Sequence, residues 1–382
     1  MITYKTSCER KCAVRAIFVV KPPRKAFDID NTQEYSYNND VLFIWRSHMN
    51  IVIDIVLLLA GFVLLIKGAD FFVEGASSLA RKLRIPSLVV GLTIVALGTS
   101  APELAVSISA SLGGQNSMAV SNVVGSNIFN LLGVLGVCAL VIPLGVTKDI
   151  LHRDYPVSIF TSVLFFVMLI FFGASGEITL FEAILLVVLL AGYLTWTVIA
   201  AMKNRQTSGE QIAEKPFIWW KCALFIICGA GAIVLGGDMV VDHASLLGKA
   251  VGMSESLVGL TICAVGTSLP ELVTSISACK KGENDMAIGN VIGSNILNIL
   301  CILGVSGVIS PITITGADLS NTLVDFGIYI VICLLAYIFC LTQKKITRVE
   351  GGILVFLYIA YMGYAIVRDH LGTDPIMSLI GN

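Results

Sequence analysis

The chain has 382 residues, of which 56% are hydrophobic and only 13% charged, and its mean hydropathy is +0.88. That composition excludes an ordinary soluble domain and reads as a polytopic membrane protein. The formal charge of −1 favours neither a nucleic acid nor an anionic surface as partner.

Residues 1–48 come first and stand apart from the rest. They hold eight basic residues, among them Arg10, Lys11, Lys21, Arg24 and Lys25. They contain no usable signal-peptide core, because the short apolar stretch from Cys12 to Val20 is interrupted by Arg15. Met49 then opens the first convincing span, MNIVIDIVLLLAGFVLLIKG. Residues 1–48 are therefore expected to be a disordered polar extension or not translated at all, and a start at Met49 is the preferred reading.

Crossing the hydrocarbon takes about 20 apolar residues in helical form. Apolar runs supply ten such segments, at roughly 50–72, 85–112, 117–143, 155–173, 178–202, 219–241, 255–279, 285–310, 321–342 and 350–367. The polar stretch KNRQTSGEQIAEK, Lys203 to Lys215, divides them five and five. The expected organisation is an all-α protein with a first five-helix half at 49–202, a linker at 203–218 and a second half at 219–382.

The halves repeat one another. Gly91 to Gly133 aligns without a gap with Gly259 to Cys301, 168 residues later, and the two agree at 27 of 43 positions. Five is an odd number, so the second half must enter the membrane in the opposite sense. Inverted repeats of this kind place a binding site near the midplane where the halves meet. Loop charges support the segment count. Arg81, Lys82, Arg84, Lys148, Arg153, Lys203, Arg205, Lys215, Lys221, Lys280, Lys281, Lys344, Lys345, Arg348 and Lys67 fall at one set of ends, and only Lys249 and Arg368 at the other. Cytoplasmic loops collect Lys and Arg, so the 203–218 linker is expected inside and the C-terminus outside.

Each copy carries one glutamate, Glu103 or Glu271, in an apolar run. An ionisable residue in lipid marks an ion or proton pathway by default. Pro102 has no N–H for the carbonyl of Gly98, and its ring clashes there, so the helix is expected to break; Pro270 repeats this against Gly266. Backbone freed in a membrane is tolerated where protein or an aqueous cavity satisfies it, and a cation could do the same. Thr99, Glu103 and Ser107 share one helix face, as do Thr267, Glu271 and Ser275. On the next helix Asn122, Ser126 and Asn130 form a polar stripe that Asn290, Ser294 and Asn298 match. The donor set is all oxygen, which suits Ca²⁺ or Na⁺ rather than zinc or copper.

The plainer structural roles weigh differently from residue to residue. Hydroxyls and amides such as Ser109, Ser277, Asn122 and Asn290 serve equally well as helix–helix glue. Gly125 and Gly293 read as close-packing positions. Asp70 and Asp238 sit near predicted helix ends, where capping or interfacial roles compete with transport. Most cysteines lie in apolar segments as small hydrophobes, and the Cys8 and Cys12 spacing lacks the partners of a metal site. His48, His152, His243 and His370 read as interfacial. Trp219 and Trp220 read as an interfacial anchor.

With GTSAPE at 98–103 and GSNIFN at 125–130, and GTSLPE at 266–271 and GSNILN at 293–298, the chain resembles the calcium/cation antiporter superfamily. It looks most like the prokaryotic sodium/calcium exchangers with two alpha repeats, over about residues 51–367. The resemblance implies ten helices in two inverted halves, in the plasma (inner) membrane. It implies that Glu103 and Glu271 coordinate both Ca²⁺ and Na⁺. The carbonyls of Thr99 and Thr267 would serve the calcium site, and those of Ala96 and Ala264 the flanking sodium sites. The hydroxyls of Ser100, Ser126, Ser268 and Ser294 would serve sodium, and Asn130 and Asn298 would complete the centre. Many exchangers carry an aspartate at one of these last two positions, so the coupling stoichiometry here is open.

The expected function is a secondary antiporter, not an enzyme, that exports Ca²⁺ against Na⁺ by alternating access. It would work as a monomer, with no cofactor beyond the transported ions. Coupling to H⁺ or K⁺ is the alternative within the class. A channel would need a continuous pore, usually built by an oligomer. An intramembrane hydrolase would need a nucleophile–base or metal constellation, and none is evident in the sequence.

Overall fold

The computed structural model describes residues 51–72, 74–75, 78, 96–171, 176–205, 219–280 and 284–371. The expectations placed on residues 1–48, on linker residues 206–218 and on Arg81, Lys82 and Arg84 lie outside the described residues.

The described residues are helical almost throughout. Helix α1 (Ile51–Phe72) is followed by α2 (Ala96–Thr99), α3 (Ala101–Leu112) and α4 (Asn116–Val141). After them come α5 (Ile150–Phe171) and α6 (Leu180–Arg205). The second half runs α7 (Trp219–Ala250), α8 (255–267), α9 (Leu269–Lys280), α10 (284–309), α11 (Gly316–Gln343) and α12 (Arg348–Leu371). Among the described residues nine helices are long and apolar enough to cross a membrane. The expected segment 85–112 is described only from residue 96, as α2 and α3.

Repetition at the 168-residue offset holds for the elements as it does for the residues. Helix α3 maps onto α9 and α4 onto α10, end for end. Both α6 and α12 begin with the same capping box. The backbone N–H and hydroxyl of Thr179 both donate to Glu182 Oε2 at 2.7 Å, while Thr347 donates to Glu350 Oε2 at 2.7 and 2.8 Å. Each satisfies donors that a helix start leaves free.

Four short strands report the sense of the two halves. Strand β1 (Leu144–Gly145) follows α4, β2 (Glu177–Ile178) precedes α6, β3 (Ile312–Thr313) follows α10 and β4 (Lys345–Ile346) precedes α12. The observed ladders are β1 with β4 and β2 with β3, both antiparallel. Repeats of the same sense would put β1 and β4 on opposite membrane faces. The cross-pairing requires inverted repeats, with one ladder on each face.

Burial separates core helices from lipid-facing ones. In α4 89% of the most apolar window is buried and in the matching part of α10 78%, against 22% in each of α1 and α12. Val52, Val56, Leu59 and Val63 form an exposed stripe at helical spacing along α1, which suits a lipid-facing surface. Helices α1 and α7 cross through glycines. A Cβ at Gly68 would lie 2.9 Å from the Gly229 carbonyl, and one at Gly236 would lie 2.9 Å from the Gly61 carbonyl. Small residues let backbones approach this closely in membranes.

Two local expectations are corrected. The span predicted to end at 241 continues to Ala250, so Asp238 and His243 lie within α7 rather than near a helix end. Hydropathy loses the segment at Asp242 and His243, although the helix continues regardless. Asp238 accepts from Ser109 at 2.8 Å, and His243 Nδ1 is 2.9 Å from Asp54 on α1, partly buried. These polar groups join helices.

Candidate functional site

The site grows from a paired interruption. Ser100 (φ −88°, ψ 5°) separates α2 from α3, and Ser268 (φ −85°, ψ 8°) separates α8 from α9. Pro102 and Pro270 stand just beyond, where each removes an N–H from the preceding turn. The breaks bring Glu103 and Glu271 onto the first turns of α3 and α9, both fully buried.

Serines bind both carboxylates and link the two repeats around them. Ser268 Oγ donates to Glu103 Oε1 at 2.9 Å, and Ser294 Oγ donates to Glu271 Oε1 at 3.4 Å. Ser100 Oγ donates in turn to Ser294 Oγ at 3.4 Å. Ser126 Oγ donates to the Ala264 carbonyl at 3.4 Å, bringing α4 onto α8. Gly125 makes that approach feasible, since a Cβ there would fall 2.6 Å from the Leu260 carbonyl.

The core helices widen where they carry the asparagines. Residues Phe129–Val134 of α4 and Asn298–Leu303 of α10 are π-helical. Such widened turns concentrate at functional sites. Asn130 Nδ2 donates to Asn295 Oδ1 at 3.1 Å, and Asn298 Nδ2 donates to Asn127 Oδ1 at 3.0 Å. Asn127 and Asn295 were not singled out in the sequence, although both lie inside the repeated GSN-x-x-N motif. They sit off the polar stripe, and identity between the copies was the signal that could have found them.

Acceptor atoms remain, Asn122 Oδ1 on the polar stripe and four more on the glutamates and the motif asparagines. Glu103 Oε2, Glu271 Oε2, Asn130 Oδ1 and Asn298 Oδ1 are buried with no hydrogen-bond partner among the described residues. Unpaired buried polar groups are costly, carboxylates most of all. Each of the four belongs to a motif position repeated in both halves.

The remaining sequence-predicted residues fall as follows. Thr267 Oγ1 bonds back to the Cys263 carbonyl at 3.0 Å within its own helix. Ala96 and Thr99 open and close α2, as Ala264 and Thr267 open and close the matching last turn of α8. Asn122 and Asn290 act as glue. Each donates to a serine on the preceding helix at 3.0 Å, Ser107 or Ser275, and to the backbone carbonyl of its own repeat's glutamate at 3.4 Å.

Fold and site together define an integral multi-pass helical membrane protein of two inverted repeats whose buried carboxylates lie where the repeats meet. The chain belongs to the sodium/calcium exchanger protein family, whose model matches residues 53–199 and again 221–367. It is 36% identical over 349 residues to the sodium/calcium exchanger MaX1 of Methanosarcina acetivorans, covering 82% of this chain and 98% of that one. To the inner membrane protein YrbG of Escherichia coli it is 36% identical over 324 residues, covering 80% and 96%. A solved structure of the sodium-calcium exchanger NCX_Mj, soaked with Na⁺ and Sr²⁺, is similar with a TM-score of 0.58 and 30% identity, covering 82% of this chain and 99% of that one.

Proposed function

We propose that this protein is a secondary antiporter that moves Ca²⁺ out of the cell in exchange for Na⁺ by alternating access. The observation that carries the reading is the set of four buried, unpartnered oxygens on Glu103, Glu271, Asn130 and Asn298. Two carboxylates and two amide carbonyls form an all-oxygen donor set, the chemistry that hard cations take. Ca²⁺ is the divalent substrate of that centre. The Ser100, Ser126, Ser268 and Ser294 hydroxyls and the carbonyls of Ala96, Thr99, Ala264 and Thr267 complete the Ca²⁺ and Na⁺ positions around it.

The halves 49–202 and 219–382 carry one copy of the site each. The 203–218 linker lies on the cytoplasmic face of the plasma membrane and the C-terminus outside, and a single chain forms the whole pathway. An empty centre holds two unneutralised carboxylates in a medium of low dielectric, where like charges repel strongly. Exchange follows, because the centre switches access from one side to the other only when a cation neutralises it.

Calcium uptake into everted vesicles tests this directly. Uptake driven by an imposed outward Na⁺ gradient is the expected result. Uptake driven by a proton or K⁺ gradient instead would change the coupling ion while keeping the antiporter. Leak indifferent to any gradient would make the protein a channel.

A further inference from the structure

Given the reading of Asn130 and Asn298 as cation ligands, we propose that Asn127 and Asn295 are positioning residues that fix which end of those two amides faces the ion.

A carboxamide is nearly symmetric in shape, but its oxygen attracts a cation and its NH₂ repels one. Nothing in Asn130 itself selects the oxygen. The choice is made one residue further out. Asn295 Nδ2 donates to the backbone carbonyl of Asn127 at 3.3 Å. A carbonyl can only accept, so the NH₂ of Asn295 must face it, and Asn295 Oδ1 is left as an acceptor for Asn130 Nδ2 at 3.1 Å. The NH₂ of Asn130 is thereby engaged, and its Oδ1 is the atom left without a partner.

The mirror relay runs from the other half. Asn127 Nδ2 donates to the Asn295 backbone carbonyl at 3.5 Å, and Asn298 Nδ2 donates to Asn127 Oδ1 at 3.0 Å. Each ligand amide is oriented by an asparagine of the opposite repeat. All four asparagines are 0% exposed, so bulk water cannot substitute for a missing partner.

Losing the relay should leave the ligand in place but free to turn its NH₂ toward the ion. Equilibrium binding of radiolabelled Ca²⁺ to the purified full-length protein reads this out. Asn295→Ala should weaken binding by roughly ten- to a hundredfold, the scale of one lost interaction with a charged group. In an Asn130→Asp background the same change should weaken binding by less than about threefold, because both ends of a carboxylate are acceptors and no orientation needs fixing. Equal weakening in both backgrounds would mean that Asn295 merely packs, and the positioning role would fall. Binding unchanged by Asn295→Ala, with Asn130→Ala clearly weakened, would also overturn it while keeping Asn130 as a ligand. Binding unchanged by Asn130→Ala would remove the ligand reading itself. If Asn295→Ala does not fold, Asn127→Ala against Asn298→Asp decides by the same criterion.

Discussion

Arg368 donates to both oxygens of Asp325 at 2.8 Å, and Tyr361 adds a third bond at 2.9 Å. With 3% and 1% of their surfaces exposed, these side chains form a buried ion pair between α11 and α12, apart from the candidate site. Replacing Asp325 alone with Leu should cost about 3–5 kcal/mol, because an uncompensated charge stays buried. Arg368→Met with Asp325→Leu should recover most of that loss in a thermal melt of the detergent-solubilised protein. The carboxylates at the site should respond differently. Glu103→Gln and Glu271→Gln keep shape and hydrogen-bonding capacity, so melting should be little changed while Ca²⁺ flux is lost. Near-normal exchange by either variant would remove that residue from the centre. Glu103 and Glu271 were legible because a carboxylate in an apolar run is costly, and here it recurs beside a recurring proline. The Arg368 pair was not, since position 157, which matches Asp325, is a valine and the repeat gives no signal.

At the scale of elements, the helix breaks were readable and the widened turns were not. Proline states its effect on the chain locally, whereas the π-helical turns at Phe129–Val134 and Asn298–Leu303 depend on packing between the halves. The close crossings belong to this second kind. A Cβ at Gly259 would sit 2.5 Å from the Met118 carbonyl, and one at Gly125 would sit 2.6 Å from that of Leu260. Backbone cannot give way as a flexible side chain can. Gly125→Val and Gly259→Val should each destabilise the protein by at least the roughly 1–3 kcal/mol of ordinary overpacking. Either variant melting like wild type would show that α4 and α8 separate more easily than their packing implies. The extension of α7 to Ala250 escaped hydropathy for a simple reason: its last turns are polar enough to end a span but not a helix.

For the whole molecule, the cross-paired ladders establish the inverted sense, and the direction is a prediction from the basic residues. A cytoplasm-dependent reporter fused after Ser208 should be active, and the same reporter at Asn382 should be silent. The reverse pattern would invert the orientation. Charge then bears on coupling. Asn130 and Asn298 are neutral, so Glu103 and Glu271 hold a formal charge that one Ca²⁺ or two Na⁺ would balance. A third Na⁺ would leave net charge in a poorly polarisable site. Flux at fixed ion gradients in voltage-clamped proteoliposomes should therefore vary little with potential. A reversal point fitting three Na⁺ per Ca²⁺ would show that hydroxyl and backbone dipoles hold the extra ion.

Anomalous diffraction from crystals of this protein soaked in Sr²⁺ tests the central assignment most directly. One dominant peak is expected among Glu103 Oε2, Glu271 Oε2, Asn130 Oδ1 and Asn298 Oδ1, near the ~2.3–2.6 Å at which oxygen binds Ca²⁺. A strong peak elsewhere in the membrane region, with none between the two glutamates, would contradict it.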